Sequence, residues 1–209
     1  MTDMMQLVLF IGIQAAGKSS FYRERFFGTH VRVNLDMLKT RHREALLVAA
    51  CLEGKTPFVV DNMNLTRADR ARYIGPARAN GFAVRGYFFQ SKVAESLARN
   101  AAREGKARVP DLAICGAQRR LELPSMDEGF DTLQFVRIDD QKQFTVEEWK
   151  NEVWENYEKP GVNPNTGQTT SAIRRRLKTD MELPIKDACE AFIRSQLAGT
   201  AASSCRRPE

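Results

Sequence analysis

Leu7-Val8-Leu9-Phe10-Ile11 runs directly into Gly12-Ile13-Gln14-Ala15-Ala16-Gly17-Lys18-Ser19. Five consecutive apolar residues are the pattern of a strand buried on both faces of a parallel sheet. The stretch after it satisfies G-x-x-x-x-G-K-[ST] at every fixed position. Gly12 and Gly17 let the backbone curl so that successive N–H groups, those of Ala15 and Ala16 among them, face phosphate oxygens. Lys18 has the reach for β- and γ-phosphates, and the Ser19 hydroxyl suits Mg²⁺. A helix opening near Lys18, with Ser20 in its first turn, turns its positive dipole end toward the same anion. The motif predicts a bound nucleotide phosphate with Mg²⁺.

Reading outward, strands and helices alternate. Val31 to Leu35 predicts a second strand ending at Asp36, and residues from about Met37 to Leu52 a helix closed by Gly54. Phe58-Val59-Val60 predicts a third strand ending at Asp61. Thr66-Arg67-Ala68-Asp69 has the spacing of a capping box and opens a helix reaching Ala79, with a kink expected at Pro76. Strands over 82–89 and 132–138 flank a helix over 92–103. This alternation predicts a P-loop NTPase/kinase fold of the α/β class: a parallel sheet of about five strands with helices on both faces. Ligands in such sheets bind at the carboxyl ends of the strands, where Gly12, Asp36 and Asp61 converge.

Asp61 follows a buried strand, the place of a magnesium-side acid, so Ser19 and Asp61 form the expected metal pair. Asp36 is placed to take an acceptor's hydroxyl proton. For both, a capping or turn aspartate is the alternative. Arg99 and Arg103 are spaced one helical turn apart, with Gly105 as a hinge. They suit a lid that lowers arginines onto transferring phosphates, or else a solvated basic face.

The chain has 209 residues and a formal net charge of +6, which permits a polyanionic partner without requiring one. The 43% hydrophobic and 28% charged residues fit a globular domain and exclude collagen-like and low-complexity classes. No apolar run approaches the roughly 20 residues that cross a bilayer, so no membrane role is expected. Cys51, Cys115, Cys189 and Cys205 form no metal spacing. Without a secretory signal they read as reduced thiols in a cytoplasmic protein.

Four stretches together resemble the P-loop polynucleotide 5′-hydroxyl kinases of bacteriophage and DNA-repair type. They are Gly12 to Ser19; Val33-Asn34-Leu35-Asp36; Val59 to Asn64 running into Arg70-Ala71-Arg72-Tyr73; and Arg99 to Pro110. The resemblance spans roughly Leu7 to Asp139. It implies transfer of the ATP γ-phosphate to a 5′-hydroxyl of DNA or RNA, with nucleic acid 5′ ends as partner. It implies Lys18 and Ser19 at the phosphates, Asp36 as general base, Arg103 as the lid arginine on the donor and Arg99 beside it. Asp61 and Asn64 fall near the acceptor or metal. Where some members carry an arginine for the acceptor's 3′-phosphate, Lys39 stands here, keeping the charge but losing the bidentate fork. Bifunctional relatives also carry a D-x-D-G-T phosphatase motif, which this sequence lacks.

Two other readings remain open: a P-loop kinase of a small molecule, and a nucleotide-dependent switch or motor ATPase. Asn62, standing where a motor would use a second acid, disfavours the latter. Beyond Gln141 the sequence predicts a helical extension over 141–198 and a disordered tail over 199–209. Within the extension, a helix over 146–157 would carry Trp149 and Trp154 as packing aromatics. Residues 159–168 read as a turn-rich linker, and Arg174-Arg175-Arg176 as a basic cluster suited to phosphates. Residues 184–197 read as a final helix.

Overall fold

The computed structural model describes residues 5–139 and 141–150. The chain divides into a unit Met1–Trp149 and a unit Lys150–Glu209. The expectations for residues 151–209 (the rest of the 146–157 helix, the linker, the arginine cluster, the last helix and the tail) lie outside the described residues.

Strand β1 (Gln6–Ile11) is fully buried from Leu7 onward, as its unbroken apolar run requires. It lies inside a six-stranded sheet of order β2-β3-β1-β4-β5-β6, formed with β2 (Val31–Val33), β3 (Phe58–Val60), β4 (Ala83–Phe89), β5 (Thr132–Ile138) and β6 (Phe144–Glu148). The first five strands are parallel and β6 is antiparallel to β5. Register sets the site. Leu9 pairs with Val60 and Val33 pairs with Val60, so Gly12, Asn34 and Asp61 leave the sheet along one edge.

The helices are α1 (Lys18–Arg25), α2 (Leu35–Leu38), α3 (Arg41–Glu53), α4 (Arg67–Ala79), α5 (Val93–Ala101) and α6 (Asp111–Arg120). Between α1 and the sheet, Phe10, Phe21, Phe26, Tyr87 and Phe89 pack as tilted and edge-on rings 5.1 to 6.1 Å apart. Each such ring contributes about 1.5–3 kcal/mol through burial. Thr66 and Asp69 form the expected capping box, and α4 runs through Pro76 to Ala79. Near the end of the helix the proline removes a single backbone donor.

Four expectations need correction. The strand expected over Val31 to Leu35 ends at Val33, because the Asn34 cap turns the chain into a helix from Leu35. The helix expected over 37–52 is two helices. The Asn34 side chain accepts from Met37 N at 3.1 Å and starts α2; Lys39 then turns left-handed at φ 70, and Thr40 starts α3 by accepting from Arg43 N at 3.2 Å. Side-chain caps compete with helix continuation at both places. The helix expected from 146 begins instead as strand β6, in which Val146 pairs with Val136 and Phe144 with Ile138. The open edge of β5 supplies hydrogen bonds that local periodicity does not register, and Trp149 packs edge-on against Phe88 at 5.4 Å. The helix expected over 92–103 stops at Ala101, so Arg103 belongs to the following loop.

Candidate nucleotide and acceptor site

Gly12 leaves β1 at φ 149 and Gly17 enters α1 at φ 94, both conformations that favour glycine. A Cβ on Gly12 would lie 3.0 Å from Ser91 Oγ and 3.2 Å from Phe89 O, a tight fit, and one on Gly17 would push the tip of Ile138 aside from 2.7 Å. Ser91 Oγ accepts from Ile13 N at 3.2 Å and donates to Phe89 O at 2.8 Å, fixing the loop against the end of β4. Ala15, at φ 59, and Ala16 are buried in the curl, whereas Ser20 is exposed on α1.

Lys18 is only 8% exposed, and its Nζ donates to Gly12 O at 2.9 Å and Ile13 O at 2.5 Å. Burial pulls its pKa from 10.5 down to about 8; Asp61 opposes the shift, Arg103 adds to it, and Asp36 opposes it. A buried ammonium resting on loop carbonyls is poised to bind an anion.

Ser19 Oγ donates to Asp61 Oδ2 at 2.9 Å. These are hard oxygen donors, side by side at the phosphate loop, and they suit Mg²⁺, which is held by one or two protein oxygens together with substrate phosphates. Asp61 is 3% exposed, and its carboxylate also receives Arg32, whose Nε lies 3.0 Å from Oδ2 and whose Nη2 contacts the same oxygen. Arg32 Nη2 reaches Ser19 Oγ as well, at 3.0 Å. No motif marks Arg32, which reads as the polar position of an alternating strand.

Asp36 sits exposed in the first turn of α2 and lines the cleft. Its helix is anchored twice: Asn34 Nδ2 donates to Asp61 O at 2.6 Å, and Asn62 Oδ1 accepts from Leu35 N at 2.9 Å. Asn62 Nδ2 in turn donates to the buried Glu44 at 2.6 Å, beside Arg41 and Tyr73. Burial, reinforced by Glu44, pushes the Tyr73 hydroxyl up to about 12, so it stays protonated. Lys39 lines the cleft and its Nζ folds back onto Asp36 O. Asn64 also lines the cleft, but its left-handed backbone (φ 48) and its Nδ2 bond to Phe10 O at 2.7 Å give it a scaffolding place.

Arg99 and Arg103, expected together on a lid, separate. Arg99 Nε donates to Ala15 O at 2.7 Å and bolsters the phosphate loop from α5. Arg103 lines the cleft, with Nη1 3.4 Å from Ala107 O. The loop that carries it is closed at its base by the fully buried Asn100, which donates to Val109 O at 2.8 Å and Asp111 Oδ1 at 2.9 Å and accepts from Val109 N at 3.1 Å. The cleft encloses about 870 Å³. Lys18, Arg23, Arg32, Lys39, Arg41, Arg103 and Arg120 line it, against Asp36, Asp61 and Asp69. Arg23 and Arg120 were not singled out by sequence; only the fold brings α1 and α6 to this opening.

The profile of a family described as an AAA domain matches residues 30–124. A bifunctional polynucleotide phosphatase/kinase of Schizosaccharomyces pombe is 27% identical over 141 residues, covering 65% of this chain and 34% of that protein. The chain therefore spans about a third of the length of that curated relative. Among solved structures, the AvrRxo1-ORF1:-ORF2 assembly with ATP superposes with a TM-score of 0.55 at 14% identity, over 78% of this chain and 66% of that one. A chain of the PezAT toxin–antitoxin system of Streptococcus pneumoniae gives 0.53 at 12% identity, over 85% and 84%. At such identities the superpositions speak to the fold alone. Sheet order, phosphate loop and these likenesses together give a P-loop NTPase/kinase-like fold. Among the described residues, no helix is long and apolar enough to cross a membrane.

Proposed function

We propose that the chain is an ATP-dependent kinase that transfers the γ-phosphate to the 5′-hydroxyl of DNA or RNA. The observation that carries this reading is the placement of Asp36 and the phosphate loop on one cleft whose other charged walls are mostly cationic. The likeness to a polynucleotide phosphatase/kinase supports a polynucleotide acceptor.

Backbone amides of Gly12 to Ser19 and the Lys18 ammonium hold the donor phosphates, while Ser19 and Asp61 would hold Mg²⁺. The ion, when bound, offsets phosphate charge. The Asp36 carboxylate accepts the proton of the attacking 5′-hydroxyl as its oxygen bonds to the γ-phosphorus, while the bond from that phosphorus to the β–γ bridging oxygen breaks and ADP leaves. Arg103 adds positive charge from the lid side, and Arg99 keeps the Ala15 turn in place for it. Lys39 and Arg120 suit the acceptor's own phosphates. Positioning and electrostatics carry the rate, because the step asks little covalent chemistry of the protein.

The test is acceptor length. With ATP saturating, a 5′-hydroxyl octanucleotide should show a far lower KM than a nucleoside bearing the same terminal hydroxyl. Equal efficiency on the nucleoside, or on a sugar, would move the assignment to a small-molecule kinase.

A further inference from the structure

Arg32 stands apart from every residue assigned so far, because its guanidinium lies on the two oxygens expected to hold a metal. It belongs to the edge strand β2, level with Val59 in the register, and its stem carries the charge up to the Asp61 carboxylate. Three contacts join it to the pair: Nε and Nη2 to Asp61 Oδ2, and Nη2 to Ser19 Oγ. The Asp61 side chain is 2% exposed and that of Arg32 24%, so the acid is sealed in while the cation has an open side.

Two further contacts mark where that open side leads. The guanidinium carbon lies 5.2 Å from the centroid of the Tyr22 ring, itself fixed by a 2.9 Å bond from its hydroxyl to His30 O. Nη1 lies 3.5 Å from Met37 Sδ, next in sequence to Asp36. A divalent ion on the same two oxygens would meet the guanidinium charge at contact distance, and like charges repel. The guanidinium has to move. The aromatic face and the thioether already border the guanidinium on the side away from the two oxygens, so a small shift leaves it still in contact with both.

We infer that Arg32 is a resident cation that competes with the divalent metal for Ser19 and Asp61, keeping metal affinity low until a nucleotide brings the ion in. This rests on the nucleotide-binding part of the proposed function and is independent of the acceptor. Two cations that share one ligand set are negatively coupled, so removing one tightens the other. Arg32 acts here through Asp61 and is a positioning residue.

The test is Mn²⁺ binding to the ADP-loaded protein, read from the free-ion paramagnetic resonance signal. Arg32→Met should bind Mn²⁺ about tenfold more tightly than the unaltered protein. Arg32→Lys, with a charge but no fork to span both oxygens, should fall between them. Weaker or unchanged Mn²⁺ binding in both variants would overturn the competition and leave Arg32 as a simple support for Asp61.

Melting curves give a second readout and guard against a poorly folded variant. Without ligand, Arg32→Met should melt lower, since a sealed carboxylate has lost its partner. Mn²⁺ with ADP should raise the variant's melting temperature by more than it raises that of the unaltered protein. An equal rise in both would contradict the inference. Failure of the unaltered protein to bind ADP would overturn the nucleotide reading itself, whereas ADP binding with unchanged Mn²⁺ affinity overturns the role of Arg32 alone.

Discussion

Asn62 accepts the amide of Leu35 at 2.9 Å, so the residue that follows the metal-side aspartate also sets the start of the helix carrying Asp36. The same side chain donates to the buried Glu44 at 2.6 Å, which makes Asn62 a strut between α2 and α3. A position that would carry a second acid in a motor ATPase is used here to seat the helix that carries Asp36, the proposed base.

Asp36→Asn should lower phosphoryl transfer by about 10²–10⁴-fold, the usual worth of a positioned base, with ATP binding nearly unchanged. Asp36 is exposed, so the variant should keep its melting temperature. Single-turnover transfer and nucleotide titration, made on the same preparation, check this. Parallel loss of binding and transfer would make Asp36 structural.

Asn62→Ala removes the acceptor of the Leu35 amide and one donor to Glu44, which keeps Arg41. Its kcat should fall by about tenfold or more through misplacement of Asp36, while the KM for ATP stays put. An unchanged kcat would show that Asn34 alone orients α2.

The depressed Lys18 pKa gives a pH dependence of known sign. Between about 8 and 10.5 the unfolded chain holds a proton that the folded protein has lost. Stability from this group therefore rises with pH across that window, and the charged lysine costs on the order of 3 kcal/mol below it. Nucleotide affinity should run the other way, because the anion selects the charged lysine. ADP titrations at pH 7 and pH 9 should show weaker binding at the higher pH, and Lys18→Met should abolish the difference.

Arg70 is fully buried; it bonds both oxygens of Glu128 at 2.6 and 2.7 Å and donates to the carbonyls of Leu65 and Glu122 at 3.1 and 3.0 Å. It ties the turn before α4 to the segment before β5. Arg70→Met should cost about 3–5 kcal/mol and lower the melting temperature by about 10 °C. Glu128→Leu in the same chain should restore part of the loss. Thermal denaturation of the single and double variants decides it.

The parts of this site written within a few residues of one another were legible. The apolar run Leu7 to Ile11, the glycine spacing and the Thr66–Asp69 box each carry their own physical signal, and all three appear as read. Asp36 and Asp61 were placed at strand tips because strand periodicity ends there, although Asp36 stands one short helical turn past its strand. What escaped depends on partners far along the chain. β6 exists because β5 has an edge to fill, and Arg32 matters because β2 lies beside β3. Lys39 breaks a helix through caps that a window of apolar spacing overlooks. Asn100 looks like any polar helical residue until the 102–110 loop folds back on it.

The most direct test of the proposed kinase uses γ-labelled ATP, Mg²⁺ and 5′-hydroxyl DNA and RNA oligonucleotides, with Lys18→Ala and Asp36→Asn in parallel. The account predicts label on the 5′ end of at least one polymer, absent with either variant, and an acceptor affinity that falls with a log–log salt slope of about −2 if three cleft cations engage phosphates. Bound ATP with no label on any polymer, and label instead on a small hydroxyl compound, would contradict it.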